Sequence, residues 1–292
     1  MESPIHTTSI LDAHLHQWDL AAVPRSWVAE SRELPGSFLP SDAYLPGVDA
    51  ALIVEANADD GWAEALWMHH HLGPHPMVAG IVAFAPVEDI RLPAYLDHLA
   101  DLDTVVGVRR LLQDEPTGFI TSAPVLGGLA ELSKRGIAFD ACIRAWQLGE
   151  LCKAVEQVEG LRVVLDHLGK PLLPQGLESP SGQSWLAGME RLSRAGAYVK
   201  LSGMVPEADD TTDLRTQVVP FLSATYELFG ADRLMVGSDR PVSRMPSGND
   251  ADWFVLISRV LAEGGASSDD IEAVMTRTAR TFYGLPASES DS

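Results

Sequence analysis

Residues 197–239 read AYVKLSGMVPEADDTTDLRTQVVPFLSATYELFGADRLMVGSD, two short apolar runs enclosing a helical one. AYVKLSG and RLMVGSD are rich in Val, Leu and Met, whereas Val218, Phe221, Leu222, Thr225, Leu228 and Phe229 recur at the 3.6-residue spacing of one helix face. Gly230 then stands where a left-handed cap would end the helix. A strand, a helix and a second strand in this order make neighbouring parallel strands, because only a long crossover returns the chain to the same end of a sheet.

The same unit recurs along the chain. Further strand-like runs are ILDAHLH (10–16), AALIVEA (50–56), MVAGIVAFAP (77–86), VVGVRRLL (105–112), IAFDACI (137–143) and RVVLDHL (162–168), making eight with the two above. They lack clean alternation, as expected where helices cover one face and a packed interior the other. Helical stripes follow the fifth strand (Leu148, Leu151, Val155, Val158) and the eighth (Trp253, Leu256, Ile257, Val260, Leu261), and Gly136, Gly160 and Gly196 mark further helix ends. A last helix places Ile271, Val274, Met275, Thr278 and Phe282 on one stripe. Eight such units close into an α/β (β/α)8 TIM barrel, a fold that holds ~250 residues in one domain. Residues 1–286 are therefore assigned to a single barrel, and the polar tail 287–292 is expected to be disordered. The irregular stretches 17–49, 171–182 and 241–250 follow strands, so all three are expected at the catalytic face.

The chain has 292 residues and a formal charge of −20, which disfavours nucleic acid and anionic lipid as partners. Its two cysteines make no disulfide framework, no apolar run reaches the ~18 residues of a membrane span, and the N-terminus lacks a secretory pattern. A cytoplasmic protein acting on a small molecule is expected, with homo-oligomerisation left open.

Asp12, His14 and His16 alternate along the first strand, so all three should enter the barrel while Ala13 and Leu15 face the helices. Two imidazoles so placed can share one divalent ion, or be hydrogen-bonded interior residues without one. Asp239 ends the eighth strand, which a barrel brings beside the first, so it can ligate the same ion and take a proton from water; otherwise it caps a turn. Asp166-His167 ends the sixth strand, and its imidazole can polarise a carbonyl or assist proton transfer. In GVRRLLQDEP (107–116) one arginine alone should point inward; Arg109 is favoured for substrate and Arg110 for an ion pair. Arg144, Lys200, Ser202 and Arg240 add donors at the same mouth, which suits an oxygen-rich substrate. Glu55 is a further metal ligand or an interior ion-pair member. His69, His70 and His71 share a helix and point apart, and Cys142 reads as a small buried apolar residue.

With these motifs in place the chain resembles the amidohydrolase superfamily, in its amidohydrolase-related group of sugar lactonases that act on fuconolactone or rhamnonolactone. The resemblance covers nearly the whole chain and is carried by DAHLHQWD, GVRRLLQDEP, the long run ending in DHLGKP, YVKLSGM and FGADRLMVGSDRPVS. It implies a distorted barrel of the metal-dependent-hydrolase type. It further implies hydrolysis by water held over His14, His16, His167 and Asp239, with Asp239 as general base and the arginine of the fourth strand as a substrate contact. The implied substrate is a sugar-derived aldonolactone. One divalent ion, Zn²⁺ with Mn²⁺ allowed, is expected on His14 and His16 with Asp239 or Glu55, although relatives differ in whether they need metal. The chain departs from the pattern in lacking a histidine on the fifth strand, which argues against a binuclear centre. It also departs in reading GSDRP and in carrying Glu55 on the second strand. A non-oxidative decarboxylase on the same barrel and a non-catalytic sugar-acid-binding protein are the alternatives.

Overall fold

The computed structural model describes residues 9–286, and the tail at 287–292 lies outside them. Eight parallel strands form one sheet in chain order: β1 (Ile10–Leu15), β2 (Val48–Val54), β3 (Val78–Phe84), β4 (Val105–Leu111), β5 (Ala138–Cys142), β6 (Val163–Leu165), β7 (Tyr198–Leu201) and β8 (Leu234–Val236). Amphipathic helices connect them, among them α1 (Ala123–Arg135), α2 (Leu148–Gln157), α3 (Pro180–Arg194), α4 (Leu214–Phe229) and α5 (Asp252–Glu263). The starts of α3 and α4 are capped by side chains: Ser179 accepts from Gly182 N–H, and Asp213 from Arg215 and Thr216 N–H. Such caps contribute about 1 kcal/mol each. Gly136 ends α1 at φ 67°, where a Cβ would be strained. Among the described residues no helix is long and apolar enough to cross a membrane.

Several strands stop before their apolar runs do. β6 ends at Leu165, β7 at Leu201 and β8 at Val236, so Asp166, His167, Ser202 and Asp239 stand on the turns that follow. Positive φ at His167 (56°) and Asp239 (57°) turns the backbone out of the ladder there.

The barrel closes at β8 and β1 without a regular ladder among the described residues. Asp239 N–H donates to His14 C=O at 2.7 Å, His16 N–H to Arg240 C=O at 2.9 Å, and Ser238 N–H to the Asp12 carboxylate at 2.8 Å. This seam corrects the simple alternation expected of β1. The pairing register with β2 shifts between Asp12 and Leu15. Leu11 and Ala13 pack with Leu52, Val54, Val82, Val164 and Met235 in the barrel interior, and Leu15 joins the larger cluster beneath the helices. An extra residue in the strand resets which side chains face in. Asp12 is spent on the seam, accepting from His14 N–H and Ser238 N–H, and does not line the site.

The bottom of the barrel is filled by the chain's own end. Helix α6 (Thr278–Tyr283) contributes Ala279, Phe282 and Tyr283 to the interior cluster, so the apolar lower half is sealed and the polar upper half is left for chemistry.

Candidate active site

Three imidazoles surround one carboxylate oxygen. Asp239 Oδ1 lies 3.4 Å from His16 Nε2 and 3.8 Å from both His14 Nε2 and His167 Nε2, with every participant buried. His16 Nδ1 sits 2.9 Å from Val54 C=O, which can only accept, so Nδ1 carries the proton and Nε2 presents its lone pair inward. His167 Nδ1 meets Ser202 Oγ at 2.9 Å, and Ser243 donates to Asp239 Oδ2 at 2.7 Å. Burial lowers His167 to about 4 against the pull of Asp239, and burial also holds His14 well below the usual imidazole range. Burial would raise Asp239, but the crowded imidazoles of His167, His16 and His14 outweigh it and hold this carboxyl below its ordinary range. At neutral pH the centre is therefore one carboxylate facing uncharged His14 and His167.

That donor set fits a small divalent ion. Ligand atoms around zinc at about 2.0–2.2 Å stand roughly 3.3–3.6 Å apart in a tetrahedron, close to the separations here. His14, His167 and Asp239 bring one ligand atom each within 4.8 Å of the others. Glu55, expected as a ligand, is placed otherwise. Its Oε1 accepts from Arg109 Nε at 2.6 Å, its C=O accepts from Arg109 Nη2, and its Oε2 accepts from Asn57 N–H at 2.7 Å. An inward arginine has claimed that carboxylate, so it orients Arg109 instead.

Beneath the centre lies a fully buried ionic network. Lys200 Nζ donates to Asp140 Oδ2 and stands 3.4 Å from Asp166 Oδ1, which in turn is 3.3 Å from His14 Nδ1. Tyr283 donates to Asp140 Oδ1 at 2.7 Å. Burial raises Asp140 to about 6 despite Lys200. Asp166 is held well below the usual range, because Lys200 and His14 offset its burial. Asp140 and Tyr283 carry no motif around them, and sequence reasoning passed over both; the closing of β5 and α6 onto Lys200 is what makes them polar partners.

The turn after β6 is held in an unusual shape. His167, Leu168, Gly169 and Lys170 all have positive φ (56°, 52°, 68° and 51°), a conformation that costs a non-glycine residue on the order of 1 kcal/mol or more. Leu168 C=O accepts from Trp185 Nε1 at 2.7 Å, which helps to pin it. Two glycines make room. A Cβ on Gly203 would stand 2.2 Å from His167 Nδ1, and one on Gly237 2.6 Å from His14 Cβ.

A cavity of about 270 Å³ opens above the centre, lined by His16, His167, Asp239 and Arg109, and by Trp27, Asn57, Gln113, Cys142 and Lys170. Asp114, Glu207 and Val242 also border it. Arg109 points into it, with Nη1 3.4 Å from His14 Nε2, while Arg110 turns to Glu88 and Glu115 at 2.8 and 2.6 Å. Three donors expected at the mouth are elsewhere. Lys200 is wholly enclosed by its carboxylates. Arg240 reaches Ala43 and Asp42 carbonyls at 3.0 and 3.2 Å and Asp250 at 2.9 Å, tying the loop after β1 to the loop after β8. Arg144 lies outside the lining, 43% exposed and 3.6 Å from Asp114. Of the three irregular stretches, 17–49 and 241–250 supply lining residues and 171–182 supplies none. Lys170, whose ammonium donates to Gln113 Oε1, was the signal missed within DHLGKP. Cys142 faces the cavity with its thiol pushed up to about 11 by burial, so without a metal it stands there as a neutral thiol. His71 stacks on Trp67, their ring centroids 5.9 Å apart, in a π-helical turn remote from the lining.

The chain is 30% identical to an L-fucono-1,5-lactonase of Burkholderia multivorans over 94% of its own length and 96% of that protein's. It is 24% identical to an L-rhamnono-gamma-lactonase of Scheffersomyces stipitis, over 94% and 98%. Its fold matches two crystal forms of a Burkholderia multivorans amidohydrolase, one with bound HEPES (TM-score 0.83) and one with bound zinc (TM-score 0.80). Each is 24% identical to this chain and covers 95% of it and 99% of the other. The family described as amidohydrolase matches residues 11–285. A (β/α)8 barrel with its polar groups gathered at the C-terminal ends of the strands thus carries the family's pattern from end to end, and the chain belongs to the amidohydrolase family.

Proposed function

We propose that this protein hydrolyses a small, uncharged lactone, a sugar-derived aldonolactone, with Asp239 as the base that takes a proton from water. The observation that carries the reading is the ionised Asp239 Oδ1 at the cavity floor among three imidazole Nε2 atoms at 3.4–3.8 Å. The named activities of the two lactonases similar to this chain support it.

Water on Asp239 attacks the ring carbonyl. Arg109 spends Nε and Nη2 on Glu55, while Nη1 makes only long contacts, to His14 Nε2 at 3.4 Å and Asp166 Oδ2 at 3.5 Å, and can turn a proton to the negative charge that develops on the carbonyl oxygen; one such donor contributes about 3 kcal/mol. When the acyl C–O bond breaks, the proton held by Asp239 passes to the ring oxygen, giving the hydroxy acid. His167, oriented by Ser202, assists that transfer. His14, His167 and Asp239, with His16 beside them, would hold a divalent ion such as zinc. A bound ion would supply Lewis-acid polarisation of the carbonyl and a lower pKa for water.

The charge of the wall favours an uncharged substrate. Arg109 is matched by Glu55, Arg110 by Glu88 and Glu115, and Arg240 by Asp250. Lys170 rests on a neutral partner, Gln113, while Asp114 and Glu207 border the cavity. Hydroxyls suit Asn57, Gln113 and Lys170, and the Trp27 ring offers an apolar face for sugar C–H groups.

A panel of aldonolactones followed by acid release tests the proposal. Turnover of at least one neutral sugar lactone is expected. Release of carbon dioxide from an aromatic acid without lactone consumption would establish the decarboxylase reading instead, and saturable binding with no turnover would establish a binding protein.

A further inference from the structure

Cys142, Asp166 and His167 form a second group of metal-ligating side chains, one ligand atom of each lying within 4.8 Å of the others. They come from the end of β5 and from the turn after β6, and none of the hydrolytic steps above uses Cys142. Cys142 and His167 line the open cavity, so an ion can reach them from solvent, and Asp166 lies buried just beneath. The Cys142 thiol has a weak protein partner, Gln113 Oε1 at 3.7 Å, which a metal bond would outcompete.

Charge around the group points the same way. Carboxylates outnumber cations around the group: Glu55, Asp140, Asp166 and Asp239 stand against Arg109, Lys170 and Lys200, an excess of one negative charge. A divalent ion that binds as a thiolate complex adds two positive charges and one negative, which brings this low-dielectric region to neutrality. Sulfur and imidazole together prefer borderline and soft cations over Mg²⁺ or Ca²⁺.

We infer that Cys142, Asp166 and His167 bind a thiophilic divalent cation, of the class of Cd²⁺ or excess Zn²⁺, at a site distinct from the His14–His167–Asp239 set but sharing His167 with it. A sulfur–metal bond forms, the thiol proton leaves to solvent, and no electron changes hands. Because one imidazole serves both groups, an ion held by Cys142 withdraws His167 from Asp239 and obstructs the cavity beside Arg109. The site is therefore inhibitory.

Cadmium titration of the purified metal-free protein in non-chelating buffer tests this without reference to turnover. The ultraviolet thiolate-to-cadmium charge-transfer band should rise and saturate in the wild type, and magnesium should produce none. Cys142→Ser should lose the band and bind cadmium about tenfold or more weakly. Cys152→Ser should keep the band, since among the described residues Cys152 belongs to no metal-ligating group and its side chain meets Gly188 C=O at 3.4 Å. X-ray absorption of the cadmium-loaded wild type supplies a check that needs no variant to fold: one sulfur in the first shell is expected. A shell of nitrogen and oxygen alone, a band that survives Cys142→Ser, or one lost in Cys152→Ser would overturn the assignment.

Discussion

Asp239 donates its backbone N–H to the carbonyl of His14 over 2.7 Å, so the bond that joins the last strand to the first also sets the distance between the proposed base and an imidazole. Gly237, whose missing Cβ leaves space for His14, lets the two chain segments approach this closely. Closure of the fold and assembly of the centre are thus one event.

Asp239→Asn keeps that backbone bond while removing the charge and most of the basicity. Turnover of the best lactone should fall by about 10²–10⁴ with melting little changed. Activity close to wild type in a normally melting variant would take Asp239 out of the mechanism.

Gly203→Ala places a methyl group 2.2 Å from His167 Nδ1 at a backbone φ of 60°, so either the imidazole or the turn must move. Loss of the Ser202 contact should lower kcat/KM by about tenfold or more and stability by roughly 1–3 kcal/mol. Kinetics and urea unfolding read the two effects separately, and an unchanged kcat/KM would show that His167 has no positional requirement.

Asp12→Asn should stabilise the protein at neutral pH. Burial raises Asp12 from 3.8 to about 6, so the folded state holds more protons than the unfolded state in between, and this residue costs stability as pH rises through that window. An asparagine oxygen can still accept from His14 and Ser238 N–H. The variant should gain up to about 3 kcal/mol above pH ~7 and lose that advantage by pH ~4. Denaturant melts across that range would expose a constant difference if the reasoning were wrong.

Tyr283→Phe and Lys200→Met probe the buried network at increasing cost. Removing the tyrosine hydroxyl leaves Asp140 Oδ1 without its neutral donor, for about 1–3 kcal/mol. Removing the ammonium leaves Asp140 and Asp166 without their shared cation, for about 3–5 kcal/mol. Equal melting temperatures for both variants would show that Lys200 is not the hub.

Much of the site was legible because its residues lie at strand ends. His14, His16, His167, Arg109 and Asp239 each follow an apolar run, and a parallel barrel gathers such positions at one face. Arg109 could be told from Arg110 because neighbours on a strand face opposite ways. The reading of Asp12 failed where that rule fails, at a register shift that only pairing with β2 reveals. Arg144, Lys200 and Arg240 were misplaced because a cation's partner is set by which carboxylate or carbonyl arrives beside it from a distant segment: Asp114, Asp140 and Asp250 respectively.

The sequence by itself determined the eight-strand barrel, the bank of histidines and the two carboxylates Asp166 and Asp239. Local apolar period and strand polarity are properties of contiguous residues. Only the tertiary structure decided that Glu55 serves Arg109, that Tyr283 seals the barrel beneath Lys200, and that Cys142 meets His167. These are contacts between residues 25 to 143 positions apart, and their energies depend on burial and charge that no local pattern encodes.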